Sequence, residues 1–217
     1  MKPATGPMRI VHRTVGPAIK AWLRCAVTGI EQIPGAGGVL LAANHRSFLD
    51  HFVLGSASPR PVRFLGKAEL AGGRQGRFNL AMGMIPVERG RADTVALARV
   101  VILLSAGAVV GVFPEGTRSP TGELFRFRSG LARMAADAGV PIVPAGLIGA
   151  HQVWPRGAPP DWHRPDPGAV QVRFGTLVPP PEPTARSRRE VTDAVFEQVR
   201  ALCEQPAASG FAPIVGG

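Results

Sequence analysis

The 217 residues suffice for one domain of ordinary size, and a 45% apolar content supplies its core, so a second large domain is not expected. The formal charge is +10 and 22 of the 25 basic residues are Arg, whose planar fork suits oxyanions, so the expected partners are nucleic acid, an anionic membrane surface or a phosphorylated substrate. Nucleic acid rests on charge alone and is not expected, since zinc-finger, RNP-like and KH signatures are missing; Cys25 and Cys203, far apart and without CxxC spacing, point to neither a disulfide scaffold nor a thiol metal site but to a reducing compartment.

The first 30 residues contain five bases and no acid. They lack an apolar run followed by a small-residue cleavage site, so no cleavable signal is expected and the chain reads as cytosol-facing. On a helical wheel Arg9, Arg13, Lys20 and Arg24 fall within about 60° of one another. Met8, Val11, Val15, Ile19, Trp22 and Ala26 gather opposite. The segment reads as a basic amphipathic helix with a kink point at Gly16 and Pro17. Such a helix suits an anionic membrane interface, with Trp22 at the boundary, or covers the domain core with its apolar side. Residues 1–34 are thus expected to form an interface helix and linker.

Beyond the turn at Gly35, Gly37 and Gly38, short apolar runs alternate with helical stretches. Strands are expected at Val39 to Ala43, Val62 to Leu65, Met84 to Val87, Ala108 to Phe113, Pro141 to Leu147 and Val170 to Phe174. A helix opens at Asp50. Another is capped by Asp93 and runs to about Leu104; a third starts at a Ser129 cap and stops at Gly139. The apolar window Thr94 to Phe113 contains Arg99 and breaks at Ser105, Ala106 and Gly107, so it reads as a buried helix and strand, not a membrane span. The last helix spans about Thr184 to Cys203, closing a domain at 35–205, and a tail at 206–217 is expected to fray. The alternation predicts an α/β fold: a mixed central sheet flanked by helices, preceded by the N-terminal basic amphipathic helix.

Function should collect at strand ends. The first strand runs into Asn44-His45-Arg46-Ser47-Phe48-Leu49-Asp50. His45 suits a general base near neutral pH, and Asp50, five residues on, can return to its far ring nitrogen to fix the tautomer. Asp50 merely capping its helix is the structural alternative. A metal bound by His45, Asp50 and His51 lacks a supporting spacing. Ser47 lacks a nucleophile elbow and reads as a helix-start hydroxyl. The second cluster is Glu115-Gly116-Thr117-Arg118-Ser119. Gly116 permits close backbone approach, and Thr117, Arg118 and Ser119 offer donors to phosphate oxygens. Glu115 suits a bare anion poorly unless it accepts from a substrate hydroxyl or holds an arginine, which favours a polyol phosphate. Lys67 and Arg89 also lie beyond strand ends.

Together these blocks resemble the glycerolipid acyltransferase family, whose best-known members are the 1-acylglycerol-3-phosphate acyltransferases. Its His-x4-Asp block is similar to Asn44, His45, Ser47 and Asp50; its second block resembles Gly83 to Arg89; its Phe-Pro-Glu-Gly-Thr-Arg-Ser block stands at Phe113 to Ser119; its Val-Pro strand resembles Val143 and Pro144. The ordered set covers about Val39 to Gly146, and four blocks in order are far more specific than one. The resemblance implies that His45 is the general base and Asp50 its orienter, and that Arg89, Glu115, Gly116 and Arg118 line the acceptor phosphate site near Lys67. It implies no metal and no other cofactor, an acyl-CoA or acyl-carrier protein donor, and a phosphate-bearing lipid acceptor such as 1-acylglycerol 3-phosphate. Glycerol 3-phosphate, lysophospholipids, lyso-ornithine lipids and glycolipids are acceptors of neighbouring members. Many relatives carry long hydrophobic N-terminal segments, so the basic helix here implies peripheral attachment at the cytoplasmic face. Phe48, Phe52, Phe78 and Met82 are candidates for an acyl groove. A thioesterase or lipid hydrolase using the same His45 and Asp50, and a non-enzymatic membrane adaptor, are the competing classes.

Overall fold

Val39–Ala43 (β2) is apolar at every position because helices cover both of its faces, as a central parallel strand requires. The computed structural model describes residues 3–87 and 94–213. Around β2 stand β1 (Ala26–Thr28), β3 (Val62–Lys67), β4 (Ile85–Val87), β5 (Val109–Val112), β6 (Ile142–Ile148) and β7 (Gln171–Phe174), in the order β1-β7-β6-β2-β5-β3-β4. All neighbours pair in parallel except β6 and β7, so the sheet is mixed. The described helices are α1 (Gly6–Trp22), α2 (Asp50–Ala57), α3 (Gly73–Ala81), α4 (Thr94–Ser105), α5 (Gly130–Ala138), α6 (Ala150–Val153) and α7 (Ala185–Cys203).

The pleat of β2 divides the core in two. Val39, Leu41 and Ala43 face a cluster with Val53 and Leu54 of α2 and Ala150 and Val153 of α6, against which Ile19 and Trp22 of α1 pack. Leu40 and Ala42 face the other cluster, with Val100 and Leu104 of α4, Leu131 and Ala135 of α5, and Val195 and Val199 of α7. The period-2 alternation of a strand thus sends α1, α2 and α6 to one layer and α4, α5 and α7 to the other.

The N-terminal segment differs from its sequence reading. Thr5 caps α1 by accepting from Met8 N, and the helix runs through Gly16 and Pro17 to Trp22. It then stops: Arg24 has φ 48°, and Ala26 opens β1, which pairs with β7. Arg24 and Ala26 therefore do not lie on the helix, because the chain must turn there to enter the sheet. β1 thus joins the main sheet at its edge, and α1 lies on α2.

Other ends also shift. The Asp93 cap falls outside the described residues, and Ser129 stands at the N-cap position of α5 without a capping side-chain bond, its backbone being helical. Thr184 does cap α7, and Gly139 ends α5 with φ 62°. The tail expected to fray is bonded in its first part. Leu124 N donates to Pro206 O, Ala208 N to Leu124 O and Arg126 N to Gly210 O, and Ala212 is buried. Both cysteines are free and buried. No helix among the described residues is long and apolar enough to cross a membrane.

Candidate active site

The chain leaves β2 at Asn44, whose side chain closes a ring with β6: Nδ2 donates to Leu147 O at 2.9 Å and Oδ1 accepts from Leu147 N at 2.7 Å. Only a side-chain amide, with donor and acceptor side by side, pairs a backbone residue this way. The next turn winds around one carboxylate oxygen. Asp50 Oδ2, in the first turn of α2, accepts from Arg46 N and Ser47 N, each at 2.7 Å, and lies 2.8 Å from His45 Nδ1. An ionised Asp only accepts, so Nδ1 carries the proton and Nε2 presents the lone pair. His45 and Asp50 are both buried, which shields their contact from solvent screening. Ser47 Oγ donates to Trp154 O at 2.7 Å and accepts from Leu49 N at 3.0 Å, so its hydroxyl is spent on structure.

Aromatic rings fix the base. The His45 ring stacks on Phe113 with centroids 4.0 Å apart, and Phe64 lies nearly parallel beyond Phe113. His51 meets all three rings edge-on, at 5.2 Å from His45, 4.8 Å from Phe113 and 5.2 Å from Phe64. Burial, with the nearby His45, lowers the His51 pKa to about 4. Gly111 makes this packing feasible, since a Cβ there would come within 2.3 Å of the Phe64 ring.

The adjacent strand β5 delivers the second block. Glu115 is 1% exposed, and its two oxygens are divided between backbone amides: Oε1 accepts from His45 N at 2.8 Å and Oε2 from Phe125 N at 3.0 Å. Burial pushes its carboxyl up to about 7 against the pull of those amides. The structure therefore places this carboxylate behind the histidine, on backbone, where the sequence suggested a substrate hydroxyl or an arginine. Gly116 turns with φ 82°, conformationally natural only for glycine, and is exposed. Thr117 and Arg118 follow half-buried, and Arg156 Nη1 donates to Arg118 O at 2.6 Å. Ser119 N donates to His45 O at 2.7 Å, so this loop is stitched to the histidine at two points.

Lys67 ends β3 and is exposed. Arg89 lies outside the described residues. Among the groove candidates Phe48, Phe52 and Phe78 are exposed and Met82 is half-buried, so none belongs to the core. Of the N-terminal residues, Arg9, Arg13 and Arg24 are exposed, while Lys20, Ile19 and Trp22 are half-buried. Met8 and Gly16 are buried, so α1 spends part of its apolar side on the protein. Among the described residues no group of three or more His, Cys, Asp or Glu side chains is placed to hold a metal ion.

The sequence reading passed over two residues. Gln205, past α7, accepts from Asn44 Nδ2 at 2.6 Å and donates to Gly122 O at 2.6 Å, linking both blocks to the chain's far end. Its signal was nil, a lone glutamine 161 positions from its partner. His51, which the sequence suggests only as a metal ligand, belongs to a ring cluster that the nearby Phe48, Phe52 and Phe64 hint at.

A carboxylate-oriented histidine at the end of one strand, tied to a glycine–arginine loop at the end of the next, defines a class of α/β protein with its site at the carboxyl ends of a mixed sheet. Residues 24–148 match the family model described as Acyltransferase, and the chain belongs to that family. It is 33% identical over 152 residues to the chloroplastic 1-acyl-sn-glycerol-3-phosphate acyltransferase BAT2 of Brassica napus, which covers 65% of this chain and 42% of that protein. It is 32% identical over 163 residues to a 1-acyl-sn-glycerol-3-phosphate acyltransferase of Pseudomonas aeruginosa, covering 72% and 60%. The crystal structure of the 1-acyl-sn-glycerophosphate acyltransferase PlsC of Thermotoga maritima is similar with a TM-score of 0.70 and 27% identity, over 90% of this chain and 79% of that one. The matched region spans about half the length of these two curated relatives.

Proposed function

We propose that this chain is an O-acyltransferase that moves a fatty acyl group from acyl-CoA or acyl-carrier protein to the free hydroxyl of 1-acylglycerol 3-phosphate, working peripherally at the cytoplasmic face of a membrane. The observation that carries the reading is the 2.8 Å contact between His45 Nδ1 and Asp50 Oδ2, which leaves Nε2 to take a proton. The acceptor hydroxyl gives its proton to Nε2 as its oxygen bonds to the thioester carbonyl carbon. Collapse of the tetrahedral oxyanion breaks the C–S bond, and the departing thiolate recovers the proton from the imidazolium, which Asp50 stabilises meanwhile. Glu115 acts by positioning His45. Gly116, Thr117 and Arg118, with Lys67 and Arg89, hold the acceptor phosphate. Arg9, Arg13, Ile19, Lys20, Trp22 and Arg24 meet the anionic surface. The acceptor class is supported by the activities for which the relatives above are named.

The test is an acyl-transfer assay of purified protein with one acyl-CoA and one acyl-carrier protein against a panel of acceptors. Transfer to 1-acylglycerol 3-phosphate is expected above transfer to glycerol 3-phosphate, lysophosphatidylcholine or a glycolipid. Thiol release at the same rate without acceptor would make the protein a thioesterase. His45→Ala should cost on the order of 10²- to 10⁴-fold in turnover, and folded His45→Ala protein with normal transfer would sink the mechanism.

A further inference from the structure

All three tryptophans of the chain stand in one row. From Phe52 the rings run to Phe48 at 5.8 Å, Trp154 at 4.7 Å, Trp162 at 6.1 Å and Trp22 at 6.0 Å, each distance between neighbouring centroids. One end reaches the site, for Phe48 lies 6.5 Å from His51, which touches His45. The other is the last residue of α1. Such a row is costly to show to water: Trp162 is 65% exposed, Phe52 45% and Phe48 42%.

The row is held from both sides. Ser47 Oγ, in the turn that carries His45, donates to Trp154 O, and Asp161 N donates to Val153 O at 2.7 Å. Arg164 Nε and Nη2 donate to Trp22 O and Ala21 O, so the segment bearing Trp154 and Trp162 is tied both to the turn that carries His45 and to α1. Its charged surroundings are mainly basic: Arg164 and Arg156 on that segment, Lys20 and Arg24 beside Trp22. Its two acids, Asp161, hydrogen-bonded to the His163 ring at 2.6 Å, and Asp166, are exposed and are outnumbered by these four bases.

We propose that this row is the surface on which the protein lies against an anionic lipid bilayer, and that it leads a lipid substrate from the bilayer to His45. The inference rests on the lipid acyltransferase reading for its substrate, and on the row itself for its geometry. Trp favours the headgroup boundary, where an apolar body and a polar N–H are both served, and flanking arginines complement anionic headgroups. Exposed apolar residues also occur across the sheet, at Val95 and Ile102 on α4, but among the described residues no aromatic row leads from there to the site.

Because every tryptophan is in the row, intrinsic fluorescence reads it directly. Intact protein is titrated with vesicles of equimolar phosphatidylcholine and phosphatidylglycerol, with and without brominated acyl chains. A blue shift and quenching by the brominated lipid are expected. Trp162→Ser, at an exposed position, should melt as the parent does yet bind these vesicles on the order of tenfold more weakly, while Ile102→Ser should bind as the parent does. Sedimentation with vesicles while emission stays unmoved would overturn the proposal, as would equal loss in Ile102→Ser. A shift on adding an acidic acyl-carrier protein but not vesicles would make the row a protein-docking face and also overturn it. A lipid-dependent shift without acyl transfer would leave the row standing and remove the proposed function; transfer to detergent-dispersed acceptor without the shift would do the reverse.

Discussion

Asp50 Oδ2 receives two backbone amides and the His45 ring, so one carboxylate both folds the turn and orients the base. Asp50→Asn should therefore reduce kcat on the order of 10²-fold or more, less than His45→Ala does, and lower the melting temperature as well. Glu115 offers a sharper test, since its two oxygens serve the amides of His45 and Phe125. Glu115→Gln has one acceptor for two donors and should cost about 1–3 kcal/mol of stability. If Glu115 positions His45, that variant lowers kcat with the acceptor KM nearly unchanged; a rise confined to acceptor KM would mean that it touches the acceptor. His51 gives a pH dependence. Burial foremost, with His45 and Arg118 adding and Asp50 opposing, holds it neutral to about pH 4, whereas in the unfolded chain it takes a proton near its ordinary 6.5. The unfolded state thus binds more protons between these values, so the contribution is whole above pH 6.5 and is lost as pH falls towards 4. Glu115 has the opposite sign between 4.5 and 7, its folded form holding the proton longer. Denaturant titrations of parent and His51→Phe over this range isolate the first effect. The parent should show the steeper fall on acidification, by up to about 1.4 kcal/mol per pH unit, and parallel curves would refute it.

At the level of elements, α1 divides its apolar side. Met8 and Gly16 are buried, Ile19 and Trp22 lean on the core, and Ile10 and Val15 remain exposed. Met8, Gly16, Ile19 and Trp22 thus fit the cover reading of this helix, while the interface reading is left as a proposal to be tested on its bases. Charge reversal at Arg9, Arg13 and Lys20 should weaken sedimentation with anionic vesicles, at roughly 1 kcal/mol per base removed, with less effect as salt rises. A lower melting temperature with vesicle binding unchanged would assign the whole helix to the core. The sequence showed β2 to β7 within a residue or two because buried strands are apolar runs with turn residues between them. β1 escaped, being three residues at a sheet edge whose exposed, part-polar surface has no such pattern. α3 escaped as well, because Gly73–Ala81 buries only Gly76 and shows little apolar periodicity.

For the whole molecule, the arrangement that matters is the meeting of the β2 and β5 ends, paired in parallel from Val39 with Val109 to Ala42 with Val112. That pairing brings the loop of Arg118 to the histidine, where Ser119 N donates to His45 O, so Arg118→Ala should raise the acceptor KM more than the donor KM; the same is expected of Arg89→Ala from its proposed acceptor role alone. Lysine at either position should restore only part, the planar fork being lost; equal rises in both constants would indicate misfolding or donor docking. The His45–Asp50 pair was legible in the sequence because five residues of turn suffice to bring the groups together. So was the α/β class, since apolar period is a local property of the chain. The Glu115 brace to His45 N spans 70 positions, Asn44 to Gln205 spans 161, and the tryptophan row joins residues 22, 154 and 162. Local spacing carries no trace of such contacts, because they exist only once the sheet has set which strand ends and which surface segments become neighbours.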